Sequence, residues 1–225
     1  MADDTPPAKR AKLTFSEHIR VLVGPTKQEF MVHKDVITSR SHFCKAATSE
    51  RWSASGSQAL KLPADDPDVF SGYLRCLYKD FVDIEDISKN QEQVINIYVL
   101  ADKLGDATSK NIITDKYAEW SDSAYKIPDV ELVNHAFNNT ANNSQLRRMF
   151  VDFYVHEGSA TILKDAVKCA SLEFRTALLT AFVDLRDDQE WEDEPVSEAF
   201  GQRVSERDTC FYQEHDELCL PCASD

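Results

Sequence analysis

Positive charge is scarce in this chain of 225 residues: 25 Lys and Arg stand against 39 Asp and Glu, for a formal net charge of −14 at pH 7. Phosphate contacts need clustered Lys and Arg, so this balance excludes a general nucleic-acid binder. No apolar run is long enough to span a bilayer. Residues 1–12 are polar and lack the apolar centre of a signal peptide, from which a place inside the cell is expected. Catalytic signatures are missing too: Gly-x-Ser-x-Gly, the phosphate-cradling Gly-x4-Gly-Lys-Ser/Thr and His-Glu-x-x-His are all absent. Gly24-Pro25-Thr26-Lys27 is too poor in glycine to cradle a phosphate and reads as a hairpin turn.

What is present is enough apolar residue, 42% of the chain, to bury a substantial core. The organising stretch is Ile19–Ala47. Val21 and Val23 alternate with Arg20 and Leu22, Gly24-Pro25 turns the chain, and Phe30 and Val32 resume the alternation, which predicts a hairpin with one buried face. At His33 the period changes: Val36, Ile37, Phe43 and Ala47 fall at helical spacing, and Ser39 and Ser41 mark a break between two short helices. Pro67, with Asp65, Asp66 and Asp68 around it, signals the start of a helix that carries Val69, Phe70, Tyr73, Leu74, Leu77 and Tyr78 inward.

The order of hairpin, Phe30-x-Val32-His33-Lys34, the pair Val36-Ile37, and Ser39, Ser41 and Phe43 resembles the start of a BTB/POZ domain. The likeness continues through Gln58–Pro63, which it implies to be a third strand, through Asp65–Phe70 and through the stripe Tyr73, Leu74, Leu77, Tyr78. Ile97–Gly105 resembles a helix typical of fungal members, and the whole likeness covers roughly Phe15–Trp120. It implies an α+β fold, a small sheet of short strands flanked by a helical cluster. It also implies self-association through the hydrophobic N-terminal segment and first helices, where Phe15, Ile19, Val36, Ile37 and Phe43 would form the dimer interface. His33 with Asp35 superficially suggests an acid–base pair, but no nucleophile motif accompanies it, and the resemblance places both residues at a strand-to-helix junction. One departure matters. Where many BTB domains carry an Asp before the first strand, this chain has His18 after Glu17, so the charged interface pocket of some transcriptional members is not expected.

Beyond the likeness the chain reads as helical. Gln93–Leu104 and Ala107–Trp120 close the domain, and helices are predicted after Pro128-Asp129, after a cap at Ser144 or Asn143, over Thr161–Cys169 and over Ser171–Leu185. The expected organisation is a tail over 1–14, a BTB/POZ domain over 15–122, an all-helical extension over 123–187 and an acidic, Cys-containing tail over 188–225. Asp80–Asp86 reads as a surface segment between helices. Trp52, in the Ser-rich loop Arg51–Ser57, either packs on the domain or anchors a partner. Asn138-Asn139-Thr140 and Asn142-Asn143-Ser144 match glycosylation sequons but read most simply as a polar loop. Cys44, Cys76 and Cys169 fall on helices and are expected to be buried thiols, without disulfides.

In the first tail, Lys9, Arg10 and Lys12 follow Pro6-Pro7 and resemble a monopartite nuclear import signal, the other reading being a solvated charged terminus. In the last, Cys210, His215, Cys219 and Cys222 are right in kind for a tetrahedral structural zinc, against a chance grouping of cysteines in a reduced tail. No other cofactor is expected. Three functions compete. The foremost is a non-catalytic nuclear module that homodimerises and recruits protein partners, such as transcriptional regulators. A substrate adaptor for a Cullin-type ubiquitin ligase is the second, and a small zinc-dependent enzyme the least supported.

Overall fold

A computed structural model describes residues 13–49, 59–82, 87–124, 126–188 and 209–215. Strands β1 (His18–Val23) and β2 (Gln28–His33) form the predicted hairpin, pairing antiparallel with Val21 opposite Phe30. The turn between them needs a left-handed residue, which Gly24 supplies at φ 75°; a Cβ there would press on Pro67 and on the Asp65 carbonyl. Strand β3 (Ala59–Leu62) joins the other side of β1 in parallel, so the sheet order is β2-β1-β3. Alternation does what the period-two pattern requires: Val21, Val23, Val32, Leu60 and Leu62 face the core, while Arg20 pairs with Glu29 on the open face.

Two short helices follow the hairpin, α1 (Lys34–Arg40) and α2 (His42–Ala47). Ser41 alone makes the break: its hydroxyl accepts from Cys44 N at 3.0 Å and donates to the Leu104 carbonyl at 2.6 Å. Ser39 lies inside α1. Helix α3 (Pro67–Lys79) begins as predicted, with Asp66 accepting from Asp68 N and Val69 N. Gly72 lets α4 (Ile87–Leu104) come close, since a Cβ there would meet Ile97 Cδ1 at 2.6 Å. Helix α4 starts earlier than the polar Ser88–Gln91 run suggests, because Ile87 is buried at its head; the helical backbone is interrupted at Asn90. Helix α5 (Ala107–Ala124) continues past Trp120.

The predicted helical extension is present as α6 (Val130–Asn139), α7 (Gln145–Glu157), α8 (Ala160–Cys169) and α9 (Leu172–Asp188). It shares one hydrophobic core with the sheet and the first helices. Tyr117 of α5 meets Phe150 of α7 edge-on at 5.4 Å, and Phe174 of α9 packs on Phe137 and Tyr154. Ser144 stands at the start of α7, but its hydroxyl faces the Tyr98 hydroxyl at 3.1 Å rather than capping the helix. Arg147 closes the α6–α7 loop, donating to the carbonyls of Phe137 and Thr140, to Thr140 Oγ1 and to Asn142 Oδ1.

Some inward assignments need correction. Tyr78 is 44% exposed, because its hydroxyl is drawn to His33 at the edge of the sheet. Val82 is buried although its segment reads as a surface connection. Cys169 is exposed at the end of α8, whereas burial raises the thiol pKa of Cys44 and of Cys76 to about 11. Trp52 lies outside the described residues.

A fully buried carboxylate joins these elements. Asp106, at the head of α5, receives Arg40 Nε at 3.2 Å, the Tyr73 hydroxyl at 3.0 Å, Ser109 N at 2.9 Å and the Ser109 hydroxyl at 2.7 Å. The Arg40 guanidinium also reaches Asp80 and Ser109. Removing one partner of such a buried pair leaves the other charge stranded, so Asp106→Ala is expected to lower unfolding free energy by about 3–5 kcal/mol in urea denaturation. A loss under about 1 kcal/mol would show that the network is dispensable.

Candidate protein–protein interface

The side of the domain where the chain enters the sheet is unusually rich in outward-facing rings. Asp35, in the first turn of α1, takes hold of the incoming backbone: its Oδ2 accepts from Thr14 N at 2.5 Å and Phe15 N at 2.8 Å, and its Oδ1 from Val36 N at 2.9 Å. These bonds, the one from Phe15 N–H foremost, hold the Asp35 carboxyl below its ordinary pKa. Phe15 is thereby kept at φ 54°, an unfavourable conformation for a residue with a side chain, with its ring 49% exposed.

Behind Phe15 stands a cluster of rings. Its own ring meets that of His33 edge-on at 5.3 Å, and the His18 and His33 rings lie 4.3 Å apart. The Tyr78 hydroxyl accepts from His33 N at 3.0 Å and stands 2.9 Å from His33 Nδ1. His33 and Asp35 are thus engaged with different partners, Tyr78 for one and the Thr14–Phe15 backbone for the other, which is a structural arrangement and not an acid–base dyad.

The five residues predicted for a dimer interface divide into two groups. Val36 is 5% exposed and Ile37 fully buried, both inside the protomer's own core, and Ile19 packs partly against that core. Helical spacing correctly finds their apolar face, but the partner of that face is the sheet and α3 of the same chain. Phe15 and Phe43 do face outward, the latter 42% exposed on α2. Sequence reading overlooked Met31, 57% exposed on the open face of β2, the outer strand of the hairpin. Its place in the alternation, out of phase with Phe30 and Val32, is the signal that would have found it.

Lys9, Arg10 and Lys12 lie outside the described residues, as do Cys219, Cys222 and the side chain of Cys210. His215 is exposed. Among the described residues no group of three or more His, Cys, Asp or Glu side chains is arranged to hold a metal. No described helix is long and apolar enough to cross a membrane.

A hairpin, a parallel third strand and a helical cluster make up the first half of the described chain. Residues 16–118 match the family model of the BTB/POZ domain, and this part of the chain is a BTB/POZ domain. No curated protein matches the chain. The BTB/POZ domain is a protein–protein interaction module, and that is the class of work this domain does.

Because the Asp35 pKa is lowered on folding, its hold on the entering strand persists above the usual carboxylate range and is lost as pH falls through the depressed value. Asp35→Ala is expected to speed amide exchange at Phe15 at least tenfold at neutral pH while leaving the Val21 amide protected. Equal Phe15 exchange in the two proteins would refute the anchoring role.

Proposed function

We propose that the protein is a nuclear interaction module that homodimerises through the entry segment and α2 and recruits protein partners, with transcriptional regulation as its setting. The observation that carries the self-association is the Phe15 ring, presented outward from a backbone that Asp35 fixes in advance. Fixing the ring before contact lowers the ordering cost of association. Burying the exposed half of that ring against a second protomer would contribute about 0.7–1.5 kcal/mol. Phe43, exposed on α2, offers a second ring of the same kind. Support for the nuclear setting is the Lys9-Arg10-Ala11-Lys12 cluster, whose cations contrast with an acidic chain.

Sedimentation equilibrium of the full chain tests the first part. The wild type is expected at twice the chain mass and the Phe15→Asp/Phe43→Asp variant at the single-chain mass, with unchanged circular dichroism. An unaltered mass in the variant would remove this interface. For the second part, residues 1–14 fused to a cytosolic reporter are expected to carry it into the nucleus, and Lys9→Ala/Arg10→Ala/Lys12→Ala to leave it behind. Exclusion of the unmutated fusion would end the nuclear reading.

A further inference from the structure

Residues 209–215 were read from composition as part of an acidic tail, yet they lie on the helical body, far in sequence from everything they touch. A short 3-10 turn, Thr209–Tyr212, rests on α5 and α7 and leads into residues 213–215, of which Gln213 and Glu214 bond to α5. Each position from Phe211 to Glu214 is read by a different group. The Arg148 guanidinium of α7 lies 3.9 Å over the Phe211 ring. Tyr212 is 5% exposed, and its hydroxyl donates to Asp152 Oδ2 at 2.7 Å. Gln213 Nε2 donates to the Asp115 carboxylate of α5 at 3.1 Å. The Glu214 carboxylate pairs with Lys110, whose side chain is only 8% exposed and also reaches Asp102.

The backbone is gripped as well. Asn111 donates from Nδ2 to the Glu214 carbonyl at 2.8 Å and accepts from Glu214 N at Oδ1 at 2.7 Å. One side-chain amide that pairs with both the N–H and the C=O of one residue imitates a neighbouring strand, which is how an extended peptide is held irrespective of its sequence. Side-chain pockets on either side then confer selection: a cation over an aromatic ring, a carboxylate for a phenol hydroxyl, a lysine for a carboxylate. Arg148 and Asp152 also line an open groove of about 430 Å³ between α7 and α9, so the recognising surface continues beyond the residues now on it.

We propose that this face of α5 and α7 is a peptide-recognition site for the sequence class aromatic–Tyr–Gln–Glu, filled in cis by residues 211–214 and open to exchange with partner peptides of the same class. Lys110 and Asn111 are less than a tenth exposed with the segment in place, and the Tyr212 ring joins the core. The other contacts that hold the segment are polar, and water takes their place when it leaves. Exchange therefore uncovers one ring's worth of core and a polar binding site. The site lies on the helical body, apart from the Phe15 and Phe43 surface, and its occupancy does not depend on self-association.

The probe is a fluorescein-labelled peptide of residues 207–217 carrying Cys210→Ser, titrated by anisotropy into the full chain. With Tyr212→Ala/Glu214→Ala in the protein, which disables the internal segment, saturable binding is expected. Affinity should fall at least tenfold for the wild-type chain, whose own segment competes. A fall of at least fivefold is expected when the probe carries Tyr212→Phe, and likewise when the exposed Arg148 of the disabled chain is changed to Ala, a substitution that leaves the buried groups in place. Absence of saturable binding, equal binding by wild-type and disabled chains, or indifference to Tyr212→Phe would overturn the proposal. Light scattering of the two chains is expected to give equal masses; a lower mass for the disabled chain would overturn the assignment in cis.

Discussion

A carboxylate with no access to water is tolerated only where every lone pair is taken up, and Asp106 meets that condition through four donors from three helices. Arg40 comes from the end of α1, Tyr73 from the middle of α3, and Ser109 from the first turn of α5. An arrangement of these helices that broke any of the four bonds would leave buried polar groups unpaired, so the polar network favours this packing over others that apolar contact alone would accept. Ser41, one residue beyond Arg40, ties α2 to the end of α4 at the same corner. The position of the sheet's entry side, and with it the outward Phe15 and Phe43, follows from where α1 and α2 are held.

From that corner the core runs without interruption into the extension. Tyr98 and Tyr117 belong to the helices that close the BTB/POZ domain, yet each meets a residue of α7 or its approach, Ser144 in one case and Phe150 in the other. His135 of α6 stands 2.7 Å from the Asn96 side-chain oxygen of α4. Helices that would leave apolar faces bare on the domain are covered by the extension. Outward-facing parts of the molecule include the entry surface, apolar side chains of α8 and α9, Leu172 and Leu179 among them, and, on α5 and α7, a face that the chain itself occupies with residues 211–214. On the proposals made above the first and last of these serve association, one as an apolar and preset surface, the other as a polar and exchangeable one.

Local signals proved readable wherever the physics is local. Alternation at Val21, Val23 and Val32 marks the buried face of the hairpin, and Asp66-Pro67 marks the head of α3, because strand pleat and helix capping are decided within a few residues. The Asp106 network was not legible: Asp102 within α4 and Asp106 just before α5 both pass for ordinary helix carboxylates, and only the second meets an arginine 66 positions away. Docking of Glu214 depends on Asn111, 103 positions earlier, so an acidic composition around it suggested solvent instead. Val36 and Ile37 illustrate a third limit. Periodicity identifies an apolar face, but whether its partner is the same chain or another is a question of packing. Tyr78 shows the same for an amphipathic ring, whose hydroxyl, held by His33, turns it outward.

Native-state hydrogen exchange of the full chain tests most directly the claim that one network and one continuous core hold the molecule together. The account predicts that the slowest amides of α3, α5 and α7 share one opening free energy and one denaturant dependence, as parts of a single cooperative unit. Distinct openings, with α7 and α9 exchanging well before α3 and α5, would contradict it.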